Sequence, residues 1–391
     1  MLKQRMKCWL PGLLLILFCR VVKAQREPGY DHSVVKQVRI DLRDLGYPPL
    51  DVIPAGESAI RALGVAPDGK LYGATSGKRS HLFVIDPVHG YVVPLGFLEG
   101  VSAVEGSLVI SHAGDVYIGT APGGHLLRYE QQRSDSQGVP QVRKPLVVAD
   151  LGAPVEGERI SALAIDRARD RIYGLTRPGG HFFSYAIDSE RFEVHGVVAA
   201  HDMPGEKFEK ERNIGRAIAV DRDGKAYTSG EDGHLYQFSP STGRLRSLDI
   251  TVPSVPGREP YNRVDAWAAG NGGAVLYGGT SDGYLFRFDP GKLQALNLGK
   301  PLNKYRIRAL VLARNGKLYG VGGDDNEMAQ LFSCDPAAGT YELLGMIDVN
   351  HRPYYSWQAY VIDSAAIGND GTVYLGQSER KSKLYLYYPE P

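Results

Sequence analysis

Arginines recur at one position of a repeated sequence word, and the chemistry they offer is the grip of an anion. Arg61 (in RAL), Arg216 (RAI) and Arg308 (RAL) align with Ser161 (SAL), Asp265 (DAW) and Ser364 (SAA). A guanidinium is a planar fork that holds carboxylate or sulfate through two parallel bonds. Three of them against one Asp and two Ser make an anion-binding cup, or else a set of ties between repeats through Asp and backbone carbonyls. Histidines recur too, as His81, His125, His181 and His234. Imidazole is a natural general base, although repetition also suits a residue that closes a loop. His125 and His181 each follow Pro-Gly-Gly, whose bare backbone lets a substrate approach closely, and they are the first candidates. His112 stands apart in a turn where other copies carry Pro, Arg or Asn.

The segment from His351 to Trp357 packs Arg352, Tyr354, Tyr355 and Trp357 together, and Tyr261 and Arg263 lie in another long segment, 251–264. Aromatic faces beside guanidiniums suit sugar rings that bear acidic groups. The same composition also suits a folded aromatic lid. The run Asp324-Asp325-Asn326-Glu327 is the one candidate for a structural calcium, though it lacks the spacing and central Gly of a calcium loop. No other metal and no organic cofactor is expected, for no Ser-His-Asp order, P-loop, zinc motif or dinucleotide fingerprint occurs.

These residues must be positioned by the repeat that carries them. From Ile60 to Pro87 an apolar strand, an Asp-Gly turn, a strand holding Tyr-Gly, a Gly-rich loop, His-Leu-Phe and Asp-Pro follow in order. The word returns from Gly215 to Pro240 and from Leu310 to Pro336. Its second-strand tyrosines are Tyr72, Tyr117, Tyr173, Tyr227, Tyr277, Tyr319 and Tyr374, spaced by 45, 56, 54, 50, 42 and 55 residues. Seven copies of a three- to four-strand unit predict an all-β fold, a seven-bladed β-propeller. In blade one, strands A to D are expected near 60–66, 70–76, 81–86 and 90–97. The last copy has only three strands, so the alternating segment Val34 to Leu42 is expected to close the ring as the outer strand of blade seven. Tight A–B turns emerge on one face. The B–C loops and long D–A crossovers emerge on the other, with the starts of the A strands at the channel mouth.

The ends of the chain bound the setting. Lys3, Arg5 and Lys7, the apolar stretch Trp9 to Phe18 and Val22-Lys23-Ala24 read as a cleaved signal peptide over residues 1–24, with one propeller domain over 25–391. The apolar stretch is too short to span a bilayer. Leu17-Phe18 before Cys19 and Arg20 after it do not suit a lipid-anchored cysteine. A secreted or periplasmic location is expected. Of 45 basic residues, five leave with that segment, so 40 remain against 44 acidic ones, a net charge of −4. That excludes general electrostatic attraction to nucleic acid or an anionic membrane. Only Cys334 remains, as a core residue, so packing and not disulfides must hold what is expected to be a monomer.

Two stretches, LYGATSGKRSHLFVIDPVHGYVVPLG (Leu71 to Gly96) and IYGLTRPGGHFFSYAID (Ile172 to Asp188), resemble secreted seven-bladed carbohydrate-active propellers: polysaccharide lyases of the ulvan lyase type and the related propeller α-L-rhamnosidases. The resemblance implies an acidic polysaccharide or oligosaccharide as partner. It also implies β-elimination with a His base, a Tyr acid and a cation that neutralises the uronate carboxylate. Carried onto this chain, His125 or His181 takes the C5 proton and Tyr261 or Tyr355 protonates the departing oxygen. Arg216, Arg263 or Arg308 grips the carboxylate, and Arg61, Arg352 and Trp357 complete substrate binding. Hydrolysis is the alternative, for which Asp265, Glu158 and Glu259 are the carboxylates in place. Non-catalytic glycan or protein binding is the third. The rhamnosidase likeness implies that some members work from the opposite face, where His112 stands.

Overall fold

The computed structural model describes residues 43–44, 53–87, 91–131, 143–198, 214–230, 233–324, 326–351 and 355–389. Among them there is no α-helix, and seven four-stranded antiparallel sheets succeed one another around a ring. β1 (Arg43–Asp44) precedes blade one, which is β2 (Ala59–Val65), β3 (Leu71–Ser76), β4 (Ser80–Asp86) and β5 (Tyr91–Leu98). Blade two is β6 (Leu108–Ile110), β7 (Val116–Gly119), β8 (Leu126–Tyr129) and β9 (Ala149–Asp150). Blade three is β10 (Arg159–Asp166), β11 (Arg171–Arg177), β12 (His181–Ala186) and β13 (Arg191–Val197). Blade four is β14 (Ala219–Val220), β15 (Ala226–Ser229), β16 (His234–Ser239) and β17 (Arg244–Thr251). Blade five is β18 (Val264–Gly270), β19 (Val275–Thr280), β20 (Leu285–Asp289) and β21 (Gln294–Gly299). Blade six is β22 (Ile307–Leu312), β23 (Leu318–Asp324), β24 (Glu327–Asp335) and β25 (Thr340–Met346).

The hairpin of β26 (Asp348–His351) and β27 (Tyr355–Gln358) interrupts the crossover to blade seven, β28 (Ile362–Ile367), β29 (Val373–Gln377) and β30 (Leu384–Tyr387). The expected closure is present: β1 pairs antiparallel with β30, Arg43 opposite Leu386 and Asp44 opposite Tyr385. It lies just after the segment 34–42 proposed from the sequence, which falls outside the described residues, as do residues 1–24.

The apolar core is divided, because each sheet buries both faces against its two neighbours. Seven clusters span the seven blade interfaces, from Val109, Tyr117, Ile160 and Phe183 between blades two and three to Ile60, Phe83, Tyr374 and Leu384 between seven and one. The repeat tyrosines serve this packing. Six are buried and Tyr277 is half-buried. Tyr173 donates from its hydroxyl to the Gly224 carbonyl of the next blade at 2.9 Å, and burial pushes its phenol up to about 12. The glycine of Tyr-Gly has an equally local cause. Gly73, Gly174, Gly278 and Gly320 stand opposite Phe83, Phe183, Phe286 and Phe332, and a Cβ there would collide with the phenyl ring. Cys334 is buried as expected.

Candidate functional site

The start of strand A carries the same irregularity in five blades. Register slips between Ile60 and Ala62, Ile160 and Ala162, Val264 and Ala266, Ile307 and Ala309, and Ile362 and Ser364. A β-bulge leaves one residue unpaired and re-aims its side chain. Those residues are Arg61, Ser161, Asp265, Arg308 and Asp363, and all five line a cavity of ≈ 490 Å³ on the ring axis, together with Arg216. The bulge thus lifts one polar residue per blade out of the sheet and onto the mouth. In blade seven it corrects the sequence alignment by one residue. Asp363, not Ser364, takes the place of Arg61. Ser364 lines the wall but gives its hydroxyl to the Ile60 carbonyl at 3.1 Å, tying blade seven to blade one.

Two residues deeper on the same strand face, about 6–7 Å down, stand Leu63, Leu163, Trp267, Leu310 and Ala365. The cavity is therefore a cup with a charged rim over an apolar floor. From the far end Arg167 donates to the carbonyls of Ile110 (3.0 Å) and Val65 (3.1 Å), stitching blades one, two and three beneath it.

The rim charges form two arcs. In the first, Arg159 meets Glu105 (3.5 Å), Glu105 meets Arg61 (3.6 Å), Arg61 meets Asp363 (3.7 Å) and Asp363 binds Arg308 (2.7 Å). In the second, Asp265 accepts from Arg263 at 2.8 Å and faces Arg216 at 3.9 Å. Arg177, at the end of β11, lines the cup and donates to the Ile214 carbonyl at 2.8 Å. Arg306 reaches the wall from a left-handed backbone, φ 62°. The arginines thus tie blades together, and they also surround open space. Among the described lining residues six guanidiniums face three carboxylates, Glu105, Asp265 and Asp363, a formal excess of three positive charges.

Burial first, and then that excess, shift the protonation equilibria. Burial raises the Asp265 carboxyl, but Arg263, Arg216 and Arg308 overcome it and hold the group below its ordinary value. Its Oδ2 is buried without a hydrogen-bond partner. Partial desolvation inside the cup lowers Arg216, although 41% of its side chain stays exposed at the mouth, with Arg263 and Arg308 adding to the effect against Asp265. Burial and then Arg308 lower Arg306.

The other expected site residues are placed differently. Arg263 lies behind the rim as the partner of Asp265. His125 and His181 are not among the lining residues. Each is held through Nδ1 by a carboxylate, His125 by Asp150 at 2.8 Å and His181 by Glu158 at 3.1 Å. His81 is buried against Glu57 at 2.8 Å, so the recurrent histidine is in part a loop tether. The Gly-Gly steps also have a structural cause. A Cβ at Gly179 would strike the Glu158 carboxylate, and one at Gly124 the Glu158 carbonyl. Both histidine loops therefore close around Glu158, whose neighbour Arg159 lines the cup.

Tyr261 ends a short 3-10 turn and is exposed, and it does not line the cup. Tyr355 begins β27, and its side chain and Arg352 are outside the described residues. Trp357 donates its indole N–H to Gln377 at 3.1 Å and borders a second cavity, not the axial one. His112 is exposed in its turn on the opposite face. Glu327 of the calcium candidate faces the Lys304 ammonium at 3.1 Å, and Asp325 is outside the described residues. Among the described residues no three His, Cys, Asp or Glu side chains gather to hold a metal.

Sequence reasoning missed Glu105, Arg159, Arg177 and Asp363. Asp363 carried a signal, for it follows Ile362 as Arg61 follows Ile60. The others sit in a loop or at strand ends, where no local pattern gives the direction of the side chain.

No helix among the described residues is long and apolar enough to cross a membrane. No protein-family model matches the chain, and a comparison with curated proteins finds no match in sequence. Solved structures do match. The extracellular domain of the putative one-component system BT4673 from B. thetaiotaomicron superposes with a TM-score of 0.58 at 18% identity over 91% of this chain. This chain spans only 40% of that one. A catalytically inactive virginiamycin B lyase from Staphylococcus aureus, with quinupristin, gives 0.62 at 11% identity, covering 90% of this chain and 100% of that one. U3-55K gives 0.57 at 14% identity, over 89% and 98% of the two chains. At such identities the likeness is one of fold alone, and the fold is the seven-bladed β-propeller.

Proposed function

We propose that this propeller recognises an acidic saccharide and seats a carboxylate or sulfate of it in the axial cup. The observation that carries the reading is the six-to-three excess of guanidinium over carboxylate around ≈ 490 Å³ of open space. Arg61, 38% exposed, and Arg216, 41% exposed, are the rim cations a ligand meets first. The apolar floor with Trp267 offers a ring-sized face below them. A signal peptide over residues 1–24 would bring the protein to polymers outside the cytoplasm.

β-Elimination is the second reading, favoured by the carboxylate-held histidines beside Arg159. With Nδ1 of His181 occupied by Glu158, Nε2 is the nitrogen available to take a C5 proton. The freed electron pair forms the C4–C5 double bond, the C4–O bond breaks, and Tyr261 or Tyr355 protonates the departing oxygen. A guanidinium on the uronate carboxylate stabilises the charge that develops. Hydrolysis fits less well, because the rim carboxylates are engaged by guanidiniums and Asp265 is held ionised, the wrong state for a general acid.

The test is calorimetric titration with uronate oligosaccharides, followed in parallel by ultraviolet absorbance for an unsaturated product. Arg216→Ala is expected to weaken binding about tenfold or more. His125→Ala with His181→Ala is expected to leave binding intact and to abolish any product. Wild-type protein that binds no acidic saccharide sinks the reading. Binding without product reduces it to recognition.

A further inference from the structure

A second cavity, of ≈ 410 Å³, is lined by Ala55, Trp357, Glu379, Arg380 and Lys381. One loop joins it to the axial cup: Ser378 lines the first and accepts a hydrogen bond from Arg61 at 3.0 Å, while the next three residues line the second. At most about 10 Å of chain separates Ser378 from Lys381, a distance that a few linked sugar rings span. The loop is held in place by its backbone. Ser378 N–H donates to Val361 at 2.9 Å, Arg380 accepts from Gly56 at 2.6 Å, and Ser382 N–H donates to Ser58 at 3.1 Å.

The lining has the chemistry of a sugar-acid subsite. Trp357 is partly exposed and fixed through Gln377, with the Lys383 ammonium over its ring at 5.5 Å. Arg380 and Lys381 are both exposed. The one acid present, Glu379, already accepts from the N–H groups of Tyr360 (2.6 Å) and Val361 (3.1 Å) through Oε1. An aromatic face flanked by cations, with its carboxylate engaged, favours a ring that carries an anion.

We infer that this cavity is a distal subsite for the saccharide seated in the axial cup, so that the ligand is an acidic chain of several rings and not a single sugar acid. The inference rests on the acidic-saccharide reading of the cup. Affinity then grows with chain length, because the second unit binds at the high local concentration that the first imposes.

The probes are galacturonate monomer, dimer and tetramer, titrated calorimetrically at low salt into wild type and into Arg380→Ser/Lys381→Ser. Both substituted side chains are exposed, and the Arg380 carbonyl, which no substitution removes, accepts from the Gly56 N–H and the Ser58 hydroxyl, so folding is expected to be kept. Wild type should bind tetramer about tenfold more tightly than monomer. The double variant should lose that gain while binding monomer as before, and tetramer should change tryptophan fluorescence in the wild-type protein but much less in Trp357→Phe. Equal affinities along the series, or a gain that survives both substitutions, overturns the subsite and leaves the cup reading standing. No binding of any probe to wild type overturns both.

Discussion

Replacing Asp265 by Asn should make the protein less stable and its cup a better anion site. The carboxylate is fully buried and holds Arg263, itself 15% exposed, at 2.8 Å. Removing one partner of a buried pair costs about 3–5 kcal/mol. Asn keeps an oxygen to accept the bond, and the more exposed Arg216 at 3.9 Å contributes under about 1 kcal/mol, so a loss of about 2–3 kcal/mol is expected at neutral pH. Binding moves the other way. An anion roughly 7 Å from the lost charge feels about 2 kcal/mol less repulsion at an effective dielectric of about 20. Salt and the open mouth reduce this to about 1 kcal/mol, roughly fivefold in Kd.

The pH dependence follows from the depressed carboxyl. Its contribution to stability is complete above the ordinary value of 3.8 and is lost as pH falls through the lower folded value. Wild type and variant should therefore differ by a constant amount from neutrality down to about 3.8, converge as pH falls from there through the lower folded value, and differ little below it. Urea unfolding across pH measures the first effect, and titration with sulfate or a uronate the second. Unchanged stability refutes the pair. Reduced stability with unchanged or weaker anion binding refutes the cup as the anion site.

Gly73→Ala sets a methyl against the Phe83 ring and should cost about 1–3 kcal/mol, with Phe83→Leu in the same background recovering part of it; a neutral Gly73→Ala in urea denaturation refutes the packing account. The Cys334 thiol, pushed up to about 12 by burial first, should resist a thiol reagent in the folded chain from residue 25 and react once, stoichiometrically, in denaturant. Rapid reaction under native conditions would contradict its placement between blades.

Much of the wheel is local and so could be read from the chain. Alternation with period two, Asp-Gly turns and the returning Tyr-Gly word located β2 to β5 to within a residue or so of the observed bounds. They also put Arg61, Ser161, Arg216, Asp265 and Arg308 on the axis. The same period applied two residues further would have given the apolar floor. The hairpin of β26 and β27 escaped notice because its short strands lie inside a crossover and carry no blade pattern.

The sequence by itself settled how many blades there are and which strand faces the axis, since both depend on neighbours a few residues away. Tertiary structure alone decided what those side chains meet. Arg61 and Ser378 lie 317 positions apart, and only closure of the ring brings them together. The bulge chose Asp363 over Ser364, the folding of blade three gave Glu158 to His181, and packing of blade four against blade five left Asp265 shared by Arg263 and Arg216. Those choices concern charges that converge on an axis from seven separate strands. A linear pattern records each charge's direction from its own strand, but not the company it keeps there.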